Sequence, residues 1–427
     1  MRRGTAACCG LLLALFLSAC VRLETRRAQT EPTSRDSADE AVRVSAERTD
    51  AAEPAAAPAH DGTVYVAWVE HRGKEADVWL AHFDGGGRRL GQPARVNPNA
   101  GEATAWRGDR PAVAVAPDGT VYVGWTARDE GAPHAETLYL SASRDGGRSF
   151  FAPSKVNDDA RPCGHGMHSL AVAGDGRVYV AWLDERDVKP VQADPAKAPS
   201  HVHTESNRVV YFASSADGGR TFSPNQKVAG EVCPCCKTSL AVGEGGRVYV
   251  GWRQVLPGNF RHIAVASSTD GGQTFSPASV VSDDRWELQG CPVSGPALAA
   301  GAGGSLRVLW YTAGEAGRPG LYWSESLDGG RTFSPRRVLA ETAARGTPAL
   351  LKGEGGGLTA VWEGVDGAAP AAMRARLDGD DSASTAAAVA AVGELPAAAE
   401  AAGELFVAYV TKGDEGHGVW LAKAGKD

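Results

Sequence analysis

The sequence predicts an all-β fold built from repeated four-stranded antiparallel units, and three observations carry that prediction. A β-branched, aromatic pentapeptide returns along the chain as Val64 to Trp68, Val121 to Trp125, Val178 to Trp182 and Val248 to Trp252. Weaker copies follow at 306–310, 358–362 and 405–409. An eight-residue turn, S-x-D-G-G-x-[ST]-F, occurs four times, at Ser143 to Phe150, Ser215 to Phe222, Ser268 to Phe275 and Ser326 to Phe333. The chain of 427 residues holds 53 glycines and 24 prolines, as many short strands with tight turns would require.

The second copy shows a whole unit. Pro111 to Val115 reads as an inner strand a, and a Pro-Asp-Gly turn follows. Val121 to Trp125 is strand b, Thr137 to Ser143 is strand c, and a short strand d surrounds Lys155 to Asn157. The octapeptide is the c–d turn. Its Asp accepts backbone N–H bonds, its glycines supply positive φ, its hydroxyl ties the turn down, and its Phe plugs the core beneath. In the first and sixth units the turn has decayed to Asp84 to Gly87 and Leu377 to Gly379. The strand b copies start 47 to 70 residues apart, the repeat expected of propeller blades.

Seven copies predict seven blades. The last lacks a strand d after Val419 to Ala422. Ala41 to Ser45 resembles the d strands at 94–97 and 154–157, so the N-terminal strand is expected to complete that blade and close the ring. The domain is placed at residues 41–427. A six-bladed ring is the alternative.

The first 40 residues read differently. Arg2 and Arg3 precede an apolar run, Leu11 to Leu17, that is too short to span a bilayer as a mature helix. Leu17-Ser18-Ala19-Cys20 then resembles a bacterial lipobox. Residues 1–19 are expected to be a lipoprotein signal, Cys20 the lipidated first mature residue, and 20–40 a polar tether. The protein is expected in the bacterial cell envelope, outside the cytoplasm, bound to a membrane through lipid at Cys20. A net charge of −7 gives no case for nucleic-acid binding, and a monomer is expected.

The octapeptide resembles the Asp-box of the sialidase (BNR-repeat) propellers. The resemblance implies that Asp145, Asp217, Asp270 and Asp328 are structural and mark the face away from the active site. Function is then expected on the opposite face, where the b–c and d–a loops lie.

That face collects the cysteines. Apart from Cys8, Cys9 and Cys20, all of them, Cys163, Cys233, Cys235, Cys236 and Cys291, fall in three consecutive d–a loops. His165, Met167 and His168 accompany Cys163, and His201 and His203 lie in a loop on the same face. One reading is disulfides, the default outside the cytoplasm, with one thiol of the five left over. Another is a soft or borderline metal, Cu(I) or Zn(II), held by Cys163, His165, Met167, His168, Cys233, Cys235, Cys236 and Cys291. A redox-active thiol pair is the third.

The resemblance also implies what a sialidase would need: an arginine triad for the substrate carboxylate, a Tyr nucleophile with its Glu, and an acid/base Asp. Arg110, Arg161 and Arg345 stand near the starts of strands a, with Asp109, Asp158 and Asp159 nearby. Of nine tyrosines only Tyr311 lies just past a strand b on that face, and no d–a loop has one. The favoured reading is therefore ligand or soft-metal binding at the channel mouth. An exo-sialidase or related glycosidase, and a scaffold docking a glycan or a protein, are the alternatives. The Trp ending six of the b strands reads as core packing rather than a sugar platform.

Overall fold

A computed structural model describes residues 41–424, apart from 107, 130, 133–134, 189–206, 289, 315–317, 354, 368, 378–385, 391–392 and 415. The signal segment, Cys20, His201, His203 and the decayed turn at Asp378 lie outside the described residues. The described chain is all β-strand and turn, with two short 3₁₀ turns. Every sheet is antiparallel, and the strands follow a, b, c, d in sequence. The third unit is typical: His165–Val172, Val178–Asp184, Arg208–Ser215 and Gln226–Val232 pair in that order. The fifth unit, Ala297–Ala300 to Arg337–Ala340, and the sixth, Arg345–Lys352 to Ala387–Ala390, are separate four-stranded sheets. The last sheet combines Glu394–Ala401, Glu404–Gly413 and Gly416–Ala424 with the N-terminal strand Val42–Arg43, where Val42 faces Leu421 and Arg43 faces Trp420.

Strand b forms because its alternate β-branched and aromatic residues pack on both faces. Its Trp is buried in every copy that carries one: Trp68, Trp125, Trp182, Trp252, Trp310 and Trp362. Each apolar cluster lies between neighbouring units rather than within one. Trp125 packs with Tyr65 and Leu80 of the unit before it, and Phe406 of the last unit packs with Val64 and Val44. The a strands line a cavity of about 260 Å³ that is walled largely by Ala and Leu.

The four Asp turns are alike. Asp145 Oδ1 accepts from the Ser143 hydroxyl at 2.8 Å and from the Arg148 and Ser149 N–H groups at 3.0 Å, while Oδ2 accepts the Ser149 hydroxyl at 2.6 Å. Gly146 and Gly147 take φ of 75° and 80°. The second glycine is also a docking point, because a Cβ there would stand 2.8 Å from Leu80 Cδ2 of the preceding unit. Phe150 is half-buried against that same inter-unit core.

Hydrogen bonds hold all four carboxyls well below the usual carboxylate range, the Ser149 hydroxyl first at Asp145 and the Thr221 N–H first at Asp217. A depressed folded pKa contributes stability above the unfolded value of about 3.9, and loses it as pH falls through the folded value. Replacing Asp145, Asp217, Asp270 and Asp328 by Asn together should lower Tm at neutral pH and flatten its fall below about pH 4. Thermal melts across the acid range check this, and an unchanged acid slope would contradict it. The effect per turn is small because these groups are exposed to solvent.

Candidate functional site

Cys233, Cys235 and Cys236 form a turn immediately after strand Gln226–Val232, fixed by the Cys233 N–H donating to Arg253 O at 2.9 Å. Cys233 Sγ lies 3.5 Å from Cys236 Sγ and 3.9 Å from Cys235 Sγ. Cys235 is disulfide-bonded to half-buried Cys291, their Cα atoms 6.1 Å apart. Cys233, Cys236 and Cys163 are free thiols. Met167 belongs to the same buried apolar cluster as Cys233, Cys235 and Cys236, and Val293 packs against that cluster. The Cys236 thiol donates to Cys233, which holds Cys233 below the ordinary thiol range, and Arg261 and Arg253 lower it further. Burial pushes Cys236 the other way.

Arg253 is fully buried, bonded to Ser294 O at 2.9 Å and Tyr311 O at 2.8 Å, with its guanidinium 5.0 Å from the Trp286 ring centre. Its Nη1, and Nε and Nη1 of Arg261, are buried without a hydrogen-bond partner. Two guanidiniums with spare N–H groups thus face the sector that holds the thiols, an environment that favours thiolate.

Cys163 is not part of this cluster's contacts. Its Sγ is 3.3 Å from Asp159 Oδ2 and 3.7 Å from His165 Nε2. His165 Nε2 lies 3.0 Å from Asp159 Oδ1 and 3.4 Å from Asp184 Oδ2. Asp184 is held by Trp182 Nε1 at 2.8 Å and by Arg186. Burial, with Asp159 beside it, pushes the Cys163 thiol up to about 12.

A third group lies beside the cavity, which its Lys237 lines. Asp109 is buried, accepts the Met167 N–H at 2.7 Å, and sits 3.8 Å from Lys237 Nζ and 3.6 Å from His168 Nδ1. Lys237 donates to Arg110 O at 2.8 Å, and burial lowers it to about 8. Burial raises Asp109, and it raises Glu136 to about 7, with the Asp109 charge adding to the latter. Burial also drives His168 well below its usual range, so its ring is neutral and 3.6 Å from Asp109 is a contact, not an ion pair. Neither His168 nitrogen has a hydrogen-bond partner.

The expected donor set is therefore divided. A bulge between Gly166 and Ser169, with Met167 at φ 53°, interrupts the register of strand His165–Val172. Met167 packs with the Cys233 group, His165 joins Cys163, and His168 joins Asp109. The arginines do not present free forks to a common point. Arg110 donates to Pro396 O at 2.8 Å and Thr347 O at 3.2 Å, while exposed Arg161 donates to Arg186 O at 2.6 Å. Arg345 is exposed at the start of its strand. Tyr311 belongs to strand Leu306–Thr312 rather than lying past it, and it packs edge-on to Trp286. Burial raises its pKa, the wrong direction for a nucleophile. Asp184, Glu136, Lys237, Arg186, Arg253 and Arg261 were not singled out by sequence, since a single polar residue in a strand or loop carries no spacing signal.

The chain belongs to the BNR repeat-like domain family, whose model matches residues 62–358. Its fold is a β-propeller. It is similar in structure to a protein of unknown function from Dyadobacter fermentans, with TM-score 0.51, 14% identity and coverage of 90% of this chain and 96% of that one. It is also similar to the polysaccharide lyase Uly1, with TM-score 0.52, 12% identity and coverage of 87% and 90%. The NanB sialidase from Streptococcus pneumoniae matches at TM-score 0.48 and 10% identity over 85% and 83%. Identities this low indicate a shared fold and nothing more. Among curated proteins, none matches the chain.

Proposed function

We propose that this chain is a lipoprotein of the bacterial cell envelope, anchored through Cys20, that binds a soft metal ion at the Cys233 cluster. The propeller is read as seven blades with Val42–Arg43 completing the last, a reading supported by the pairing of Val42 with Leu421. The observation that carries the metal reading is the pair of buried free thiols Cys233 and Cys236, whose sulfurs stand 3.5 Å apart. Sulfurs held tetrahedrally at about 2.3 Å from one ion stand about 3.8 Å apart. With Cys235 and Cys291 joined, Cys233 and Cys236 remain, and two thiolates suit Cu(I). Reduction of that bond offers four sulfurs, a set that suits Zn(II). The neighbouring arginines offset the charge that thiolates bring into a buried place. Sialidase chemistry is disfavoured because the Arg110 and Arg161 N–H groups are engaged with separate backbone carbonyls.

The test is Cu(I) titration of the full-length protein, disulfide intact, against a chromogenic chelator, followed by Zn(II) titration of reduced protein. One Cu(I) equivalent is expected, weakened about a hundredfold or more by Cys233→Ser or Cys236→Ser. No binding in either redox state overturns the reading. Release of sialic acid from a fluorogenic sialoside, abolished by Arg110→Ala, would replace it with hydrolysis.

A further inference from the structure

We propose that Asp159, Cys163 and His165, with Asp184 behind them, form a second and chemically different metal site, one that takes Zn(II). It shares no residue with the Cys233 cluster and does not depend on it. The three donors come from one short stretch, the end of the loop that leads into strand His165–Val172 and the first residue of that strand. Asp184 comes from the end of the neighbouring strand, Val178–Asp184.

The imidazole is set for a ligand's role. His165 Nδ1 lies 2.6 Å from the backbone carbonyl of Glu136. A carbonyl only accepts, so Nδ1 carries the proton and Nε2 is the atom turned to the cluster. Anchoring one ring nitrogen on a carbonyl is how metal-bound histidines are oriented. Around Nε2 stand Asp159 Oδ1 at 3.0 Å, Asp184 Oδ2 at 3.4 Å and Cys163 Sγ at 3.7 Å, and Cys163 Sγ is 3.3 Å from Asp159 Oδ2. Tetrahedral zinc with nitrogen and oxygen at about 2.1 Å and sulfur at about 2.3 Å puts its donors about 3.3–3.6 Å apart. The donor spacing brackets that range.

Charge points the same way. Asp158, Asp159 and Asp184 share one guanidinium, that of Arg186, at 2.6, 3.6 and 2.8 Å. Asp184 is wholly buried, while the Asp159 side chain keeps only 8% of its exposure and His165 2%. Three carboxylates, two of them with little side-chain exposure, thus share a single positive charge, and a divalent cation supplies more. Asp184 Oδ2 already accepts from Trp182 and Arg186, so the first ligands are Asp159, Cys163 and His165, and Asp184 orients them. A mixed carboxylate, imidazole and thiolate set selects zinc, while the all-sulfur cluster is the better host for Cu(I).

The experiment is Zn(II) titration of the full-length Cys233→Ser/Cys236→Ser protein with its disulfide intact, against a zinc indicator, with Co(II) as a spectroscopic probe. One Zn(II) equivalent should bind, and Co(II) should show a thiolate charge-transfer band. His165→Ala and Asp159→Asn should each weaken Zn(II) about tenfold to a hundredfold or more, and Cys163→Ser should abolish the Co(II) thiolate band. Circular dichroism of each variant establishes that it is folded. Should a variant unfold, the unaltered double-serine protein still decides, through the presence or absence of the equivalent and the band. No zinc equivalent, or a cobalt band that survives Cys163→Ser, overturns the proposal. Failure of Cu(I) binding at Cys233 leaves this result untouched, so the two readings fail separately.

Discussion

Deleting residues 41–45 should cost the domain about 5 kcal/mol or more and leave it prone to aggregate. Val44 is fully buried in the cluster that joins the first and last units, beside Val64, Phe406 and Leu421. Burying a valine of this kind contributes about 1.5–3 kcal/mol. The segment is also bonded across the junction. The Val44 N–H donates to Val419 O at 2.8 Å, the Val419 N–H donates to Ser45 Oγ at 3.2 Å, and Arg89 Nη2 donates to Arg43 O and Val44 O at 2.7 and 2.6 Å. Those four bonds are worth about 1 kcal/mol each, and more where a buried group is left unpaired. Removal also uncovers strand Gly416–Ala424 as a bare sheet edge, a template for pairing with other chains. Denaturant unfolding followed by light scattering checks both effects. Val44→Asp should reproduce the loss of stability while leaving the edge paired. An unchanged unfolding midpoint after deletion would contradict the proposed closure of the ring by its first strand.

The fold was legible because its signals are local and repeated. S-x-D-G-G-x-[ST]-F encodes one turn through contacts within eight residues, and the structure makes the same bonds at Asp145, Asp217, Asp270 and Asp328. The b strands announce themselves by composition, and the Trp at their ends is core, as the recurrence implied. The similarity of residues 41–45 to the d strands was enough to place them against Val419 to Ala422, and the structure adds the register, Val42 opposite Leu421 and Arg43 opposite Trp420.

The site was legible only in part. Sequence order places Cys163, Cys233, Cys235, Cys236 and Cys291 in loops on one face, but it does not say which sulfur meets which. The choice of Cys291 for Cys235 depends on how two loops 56 residues apart come together. The division of His165, Met167 and His168 among three environments depends on a single bulge, and no residue pattern marks it. Arg253 and Arg261, whose charges bear on Cys233, sit in strands where a polar residue looks solvent-facing until neighbouring loops cover it.

Trp182→Ala should be the most damaging single substitution, at about 3–5 kcal/mol. The indole is fully buried between the second and third units, among Tyr122, Val180 and Leu138. Truncation leaves a cavity that strands paired on both sides cannot collapse to fill. An exposed sugar platform would behave oppositely, since removing an aromatic from a surface changes stability by about 0.5 kcal/mol or less. The indole has a second duty at Asp184, to whose Oδ2 its Nε1 donates at 2.8 Å. Trp182→Phe separates the two, keeping most of the ring while removing the donor. Its expected cost is about 1–3 kcal/mol, the range for a buried acceptor that loses one partner. Asp184 then keeps Arg186 but not the bond that aims it toward His165. Zinc affinity at Asp159, Cys163 and His165 should therefore fall about tenfold in the Phe variant, as orienting groups behind a metal ligand usually allow. Stability and zinc titration measured on the same Trp182→Phe protein check the pair. Lost stability with unaltered zinc affinity would make Trp182 a packing residue alone and free Asp184 from any part in orienting the site.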